Sequence, residues 1–294
     1  MLVSTFLFDG CHEDTLLHLK CTLEDEGVDL WILQENTYNL KGEYKGVYAQ
    51  EVLKQERFKP YLHKIQVVSA DVNPLVGSEE HQNFMREGWQ RTLGYELLEQ
   101  CPDDTLILVS DVDEMVDFSN RGRYDRFFQG VLQDRVTFCR RRRAWFDFDN
   151  ECFLKDIRVP IIPLKIVLGN PSALPQTRHY HDESRTFGSY NDSIIYEYSY
   201  CFSQDGINKK KTNYSHTGFT PECVEGALKL NCWPRAKSRG EKIDWNGNDL
   251  FETMILTEEN SPQYVREHLA ELKTNVVDPN YKENRKNWKL DYTG

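Results

Sequence analysis

A chain of 294 residues with 39% hydrophobic and 12% aromatic content can bury a full core and is of ordinary size for a single α/β enzyme. Its formal net charge of -11 excludes a general polyanion or nucleic-acid binder, since such affinity rests on Lys and Arg neutralising phosphates, so any phosphate must be met locally. No stretch approaches the roughly 18 to 20 apolar residues of a transmembrane segment. Met1 also runs straight into Leu2 to Phe8 without the basic start and apolar run of a secretory signal. A soluble, cytoplasmic chain is therefore expected, with a catalytic fragment of a longer anchored protein as the alternative. The eight cysteines form no C-x-x-C pair and no zinc-like spacing, which suits free thiols in a reducing compartment and leaves disulfides open.

Along the first 111 residues apolar runs alternate with helical segments, the signature of a mostly parallel sheet. Strands are predicted at Leu2 to Phe8, Val28 to Gln34, Ile65 to Ala70 and Thr105 to Ser110. Helices are predicted between them, at His12 to Glu26, Tyr48 to Arg57 and Glu79 to Glu99. In the first of these, Leu16, Leu17, Leu19 and Leu23 follow the helical period, and Glu13 and Asp14 stand at its positive N-terminal end. After Asp111 the order changes. A helix over Asn120 to Leu132 precedes two long strands, Val136 to Phe148 and Ile157 to Leu168, the second ended by Gly169-Asn170-Pro171. Gln176 to Asn213 reads as loops and short strands over a site, Ser261 to Lys273 as a helix, and Thr274 to Gly294 as a charged tail.

The chemistry concentrates where Leu106-Ile107-Leu108-Val109 runs into Ser110-Asp111-Val112-Asp113-Glu114, three carboxylates within four positions. A strand buried on both faces is a central strand, and ligands gather at the carboxyl ends of such strands. In an extended chain Asp111 and Asp113 share a face, with Val112 turned inward. Two neighbouring carboxylates favour a cation between them, and hard oxygen ligands select Mg²⁺ or Mn²⁺. A nucleotide-sugar diphosphate would complete the coordination, and its leaving-group charge would be neutralised as the glycosidic bond breaks. The bland alternative is a solvated acidic turn after a strand.

Several segments together resemble glycosyltransferase family 17, the family of the bisecting β-1,4-N-acetylglucosaminyltransferase. They are Gln34-Glu35-Asn36-Thr37 through Gly42-Glu43-Tyr44-Lys45, then Arg86-Glu87-Gly88-Trp89-Gln90-Arg91, then Asp103-Asp104 ahead of Ser110 to Met115. Further on, His216 matches the family's G-W-H histidine, thirteen residues before Lys229-Leu230, and Gly247-Asn248-Asp249-Leu250-Phe251 is similar to its late G-x-D-L element. The likeness spans about residues 8 to 251 and is dense as far as residue 118. Departures lie in the second half: Tyr214-Ser215 stands for the family's Gly-Trp, and Arg235 and Lys237 for a His and a Glu.

The resemblance implies a GT-A-like, Rossmann-like mixed sheet with helices on both faces, in one continuous domain. Its nucleotide-sugar half runs over 1 to 118, its acceptor half over 119 to 255, and a C-terminal helix and tail follow over 256 to 294. It implies a UDP-sugar donor, a glycan or glycoprotein acceptor and inversion at the anomeric carbon. N-acetylglucosamine is the implied sugar, and the departures leave xylose or glucose open. Asp111 and Asp113 are the expected metal ligands, joined by His216 as third ligand or phosphate contact unless that histidine is structural. Glu35, Lys45, Arg86, Arg91 and Asp111 are the expected donor contacts, although Arg86 or Arg91 can instead pair with Glu87 and Lys45 can be a surface lysine. An inverting base is required. Asp249 is the first candidate for it, ahead of Asp182, Glu183 and Asp149, with helix capping as its alternative role.

Arg140-Arg141-Arg142-Arg143 alternates faces in a predicted strand and reads either as an anionic-partner or acceptor surface or as a charged edge strand. Lys209-Lys210-Lys211 reads as a loop tip. Trp145, Phe146 and Phe148 read as core, or as a sugar-stacking wall with Asp147 and Asp149. Rival functions are a metal-dependent phosphohydrolase or nucleotidyltransferase, which would use the same aspartates without an acceptor sugar, and a non-catalytic carbohydrate-binding protein, which would not need them.

Overall fold

The computed structural model describes residues 1–8, 15, 18–20, 27–75, 80–117, 122, 125, 129, 135–145, 148, 150–152, 157–179, 186–187, 195–199, 201, 251–253, 255–258 and 260–275. Among these, the strands are β1 (Leu2–Leu7), β2 (Leu30–Asn36), β3 (Ile65–Ala70), β4 (Leu106–Val109), β5 (Glu114–Val116), β6 (Thr137–Trp145), β7 (Asn150–Cys152), β8 (Ile157–Pro163), β9 (Thr186–Phe187), β10 (Ile195–Ser199) and β11 (Phe251–Thr253). The helices are α1 (Ala49–Leu53), a 3-10 helix (Glu56–Lys64), α2 (Glu80–Gln90), α3 (Tyr95–Leu98), α4 (Leu164–Val167), α5 (Ala173–His179), α6 (Gln263–Glu267) and α7 (Leu269–Asn275).

One sheet runs in the order β11-β7-β6-β8-β4-β1-β2-β3, with β10 joined to β5 and β6 and with β9 joined to β6. β1, β2, β3 and β4 are mutually parallel, whereas β8 lies antiparallel against β4. β4 is thus the strand at which the sheet changes from parallel to antiparallel. This is the mixed α/β sheet expected, and it is continuous from residue 2 to residue 253.

Period-2 alternation explains why these runs are strands with both faces covered. Leu2, Phe6, Trp31, Leu33, Leu106 and Leu108 enter the core on one face; Val3, Ile32, Ile107 and Val109 enter that on the other. Truncating a residue as enclosed as Trp31, which is fully buried, costs about 3–5 kcal/mol. A third apolar cluster, with Met115, Phe148, Tyr196, Tyr198 and Val265, lies beyond the parallel strands.

Several boundaries differ from expectation for local reasons. β2 begins two residues late, because Asp29 is spent on docking the chain to β1: its amide donates to the Leu2 carbonyl at 2.9 Å and its carboxylate accepts from the Leu2 amide at 2.7 Å. The helix predicted to end at Arg57 stops at Leu53, and the 3-10 helix that follows contains Pro60. The long helix predicted over Glu79 to Glu99 is broken into α2 and α3 around Gly94, where a Cβ would sit 2.8 Å from Ile32 Cγ2. The strand predicted to reach Leu168 stops at Pro163, and α4 begins when the Leu164 amide is drawn to the Thr105 carbonyl at 2.9 Å. The last predicted helix is two, α6 and α7, separated at His268. The helices predicted at His12 to Glu26 and Asn120 to Leu132 lie largely outside the described residues, and the tail from 276 lies wholly outside. No described helix is long and apolar enough to cross a membrane.

Candidate functional site

Four apolar residues of β4 carry the chain to the carboxyl edge of the sheet, where the Ser110 amide still reaches the Thr5 carbonyl at 3.1 Å. There the extended geometry expected for Asp111 and Asp113 does not hold. The chain folds into a turn instead: the Glu114 amide donates to the Asp111 carbonyl at 3.0 Å, and the Asp111 amide donates back to Glu114 Oε2 at 2.7 Å. The two aspartates consequently differ. Asp111 is partly exposed, whereas Asp113 is buried, and Val112 faces inward as predicted. The turn is held from outside as well. The His18 Nδ1–H donates to the Val112 carbonyl at 3.1 Å, and the Tyr198 amide donates to the Asp113 carbonyl at 3.0 Å.

Around the turn, carboxylates and guanidiniums alternate in a line. Glu87 meets Arg91 (2.9 Å), Arg91 meets Asp111, and Asp111 Oδ2 meets Arg178 Nη2 (2.7 Å). Arg178 Nη1 meets Glu114 Oε2 (2.9 Å), Glu114 meets Arg141, Arg141 meets Glu197 (2.7 Å), and Glu197 meets Arg143 (2.8 Å). Five elements supply these groups: α2 with the residue that follows it, the turn, β6, β10 and α5. Arg91 also donates to the Ser110 carbonyl at 3.2 Å. Partial burial opposes ionisation of Asp111, but Arg178 and then Arg91 outweigh it and hold its carboxyl well below the usual range. For Glu114, complete burial dominates and pushes the carboxyl upward against the pull of Arg178 and Arg141. Buried pairs of this kind add little net stability, because desolvation offsets attraction; what they fix is position.

The arginine run is corrected by this arrangement. β6 lies between β8 and β10, so it is no edge strand, and Arg141 and Arg143 are turned to Glu114 and Glu197 instead of to a partner surface. Phe148 is 2% exposed and packs 5.0 Å from the Tyr198 ring, so it belongs to the core and not to a sugar-stacking wall.

The other predicted site residues gather at the end of β2. Glu35 is fully buried there: Oε1 accepts from the Tyr48 amide at 2.7 Å and from Lys45 Nζ at 3.2 Å, and Oε2 accepts from the Ala49 amide at 2.9 Å. It starts α1 and closes the loop over residues 37–48. It has no exposed surface, and its partners here are all from the chain itself. Lys45 is not a surface lysine, being 11% exposed and committed to Glu35. Arg86, 2% exposed, does not join Asp111. It ties the same loop to α2 by donating to the Leu40 carbonyl (3.3 Å), the Leu75 carbonyl (2.9 Å), Asn83 Oδ1 (3.1 Å) and Asn73 Oδ1 (3.2 Å). Of the predicted donor contacts, then, Arg91 and Asp111 stand together and Glu35, Lys45 and Arg86 form a second group. Gln90, on α2, bridges the two by donating to the Gln34 carbonyl at 3.1 Å.

His216 and Asp249 lie outside the described residues, as do Asp149, Asp182, Glu183 and Lys209 to Lys211. Among the described residues no cluster of three or more His, Cys, Asp or Glu is placed to hold a metal. The donor set at the turn, carboxylate oxygens without softer ligands, suits Mg²⁺ or Mn²⁺ when phosphate oxygens and water supply the remaining positions.

Sequence reasoning did not single out Arg178, Glu197 or His18, and it gave Glu114 no role of its own. The only signal in the sequence was the alternation that puts Arg141 and Arg143 on one strand face; that Glu197 stands in register with Arg143 is seen only in the structure.

No family model matches the chain, and no curated protein matches it. Among solved structures it is similar to mouse xyloside xylosyltransferase 1 in the apo form, at 12% identity and a TM-score of 0.30 over 65% of this chain and 78% of that one. It is also similar to the galactosyltransferase LgtC in complex with donor and acceptor sugar analogues, at 11% identity and a TM-score of 0.31 over 97% and 99%. An active-site mutant of LgtC gives 10% identity and a TM-score of 0.30. Likenesses this distant carry no argument about activity.

Proposed function

We propose that the chain is a GT-A-type glycosyltransferase that moves a sugar from a UDP-sugar to a hydroxyl of a glycan or glycoprotein, with Mn²⁺ or Mg²⁺ as cofactor. The observation that carries this reading is the Ser110 to Glu114 turn at the carboxyl end of β4, which lies on the opposite side of β1 from β2 and β3, so that the strand order reverses between β1 and β4. Open α/β sheets bind their ligands outside the carboxyl ends of the strands at such a reversal. The resemblance to family 17, densest at the same residues, supports it.

In this reading Asp111 and Asp113 hold the cation, and His216 reaches in as third ligand or phosphate contact. The cation, when bound, neutralises the diphosphate leaving group. Arg91 and Arg178 orient Asp111, and Glu35, Lys45 and Arg86 shape the neighbouring loop without touching the donor. Asp249 takes the proton of the acceptor hydroxyl, inverting the anomeric centre. The sugar is N-acetylglucosamine by resemblance, with xylose and glucose as alternatives in the same assay.

The test is a thermal-shift panel of nucleotide sugars with and without Mn²⁺, followed by product analysis of the hits. A ligand that binds only the native state raises the melting temperature. A UDP-sugar that stabilises only with Mn²⁺, and is then transferred with inversion, is the expected result. Phosphate or nucleotide release with no acceptor sugar would instead identify a hydrolase or nucleotidyltransferase, and glycan binding indifferent to nucleotide a carbohydrate-binding protein.

A further inference from the structure

We infer that Arg178 competes with the divalent cation for Asp111, so that the cation enters with the donor diphosphate and not before it; the inference rests on the proposed function. Arg178 Nη2 lies 2.7 Å from Asp111 Oδ2 and 3.2 Å from Glu114 Oε1, while Arg91 takes Asp111 Oδ1. Both oxygens of the more exposed aspartate are thus already engaged by cations.

A divalent ion arriving alone would have to approach Asp111 beside two guanidiniums that are 2% and 7% exposed and so poorly screened by water. A divalent ion arriving with a diphosphate brings its own compensation. The phosphate oxygens give Arg178 an alternative bidentate partner, which releases Asp111 Oδ2 to the metal. α5, which carries Arg178, is a separate element packed on α2 and β8, so the exchange needs a change at one side chain and no rearrangement of the sheet.

The experiment is a Mn²⁺ titration followed by electron paramagnetic resonance, which counts free Mn²⁺, on wild type and on Arg178→Gln and Arg178→Lys, each with and without UDP. Wild type is expected to bind Mn²⁺ at least about tenfold more tightly with UDP than without it, and UDP to gain the same factor from Mn²⁺. Arg178→Gln removes the competing charge and is expected to bind Mn²⁺ more tightly than wild type in the absence of UDP, a gain that loss of a merely structural residue would not produce. Arg178→Lys keeps the charge and is expected to stay close to wild type. Equal Mn²⁺ affinity of wild type with and without UDP would overturn the inference even if Arg178→Gln failed to fold. Arg178→Gln that binds Mn²⁺ no better than wild type would overturn it too, as would an equal gain in Arg178→Lys. If wild type binds no UDP in the presence of Mn²⁺, it is the proposed function that fails.

Discussion

Two parallel strands end on a carboxylate at the same edge of the sheet, and they put it to opposite uses. At the end of β2, Glu35 is fully buried and its oxygens take two backbone amides and a lysine, all from the chain just downstream. At the end of β4, Asp111 keeps 42% of its side chain in contact with solvent and is held by Arg91, just after α2, and by Arg178 of α5. Local partners enclose a carboxylate and make it part of the architecture. Distant partners of opposite charge hold a carboxylate in place while leaving one side open to a ligand.

The largest effect that would test this contrast is on stability. Glu35→Ala should cost about 3–5 kcal/mol, because it leaves Lys45 and two amides in a buried place without their acceptor. Urea unfolding measures it. Asp111→Ala should cost much less, since Arg91 keeps Glu87 and Arg178 keeps Glu114. Its penalty should fall on binding instead: UDP affinity in Mn²⁺, measured by calorimetry, is expected to drop by about tenfold or more as a ligand is lost. If Glu35→Ala were stable but unable to bind UDP, or Asp111→Ala bound UDP normally, the division of labour between the two strand ends would be wrong.

This contrast also marks how far the sequence could be read. β1, β3 and β4 were legible because short apolar runs between polar flanks define a strand over a few positions. The acidic segment after β4 was legible as a run of carboxylates, although an extended chain was expected there and a turn is found. Its partners were not: Arg178 comes 67 residues later from a short helix, in a segment whose polarity reads as loop, and nothing local marks it as the counter-ion of Asp111. Nor can spacing reveal that Arg141 points inward, because a strand's inner and outer faces are assigned only when its neighbours β8 and β10 are known. Glu35 and Lys45 were found as residues but not as a pair, since sequence does not report that each satisfies the other.

A smaller effect sharpens the β4 side. His18 is fully buried, packs with its ring tilted 44° against Phe6 at 4.5 Å, and donates from Nδ1 to the Val112 carbonyl in the middle of the acidic turn. Burial pushes its pKa down to about 4. A histidine whose folded pKa lies below its ordinary 6.5 takes up its proton in the unfolded state first, so stability should fall as pH drops from 6.5 toward 4 and be unaffected above that window. The full loss is about 3 kcal/mol, taking about 1.4 kcal/mol per pKa unit. His18→Gln keeps a donor for the Val112 carbonyl and does not titrate. The difference in urea stability between variant and wild type should therefore shift in the variant's favour between pH 7.5 and pH 4.5. A difference that stays constant with pH would remove His18 as a titrating support of the turn.

The smallest effect isolates how tightly the β2 loop is built. Gly42 and Gly46 both have φ of +83°, a backbone conformation in which an L-residue costs about 1–2 kcal/mol, so alanine at either position should destabilise by that much from the backbone alone. Their surroundings differ. A Cβ on Gly46 would meet nothing within 4 Å, whereas a Cβ on Gly42 would lie 2.8 Å from both Cζ and Nη2 of Arg86. An exposed arginine would swing aside at no cost. Arg86 is 2% exposed and holds the Leu40 and Leu75 carbonyls, Asn73 and Asn83, so yielding to a methyl group means giving up hydrogen bonds that no water replaces. Overpacking of this kind costs about 1 kcal/mol or more. Gly42→Ala should therefore be less stable than Gly46→Ala by about that amount, with UDP affinity at saturating Mn²⁺ unchanged in both. Equal stabilities would mean that the Arg86 guanidinium moves freely, and the loop at the end of β2 would then be free to answer a ligand, as is proposed for the turn at the end of β4.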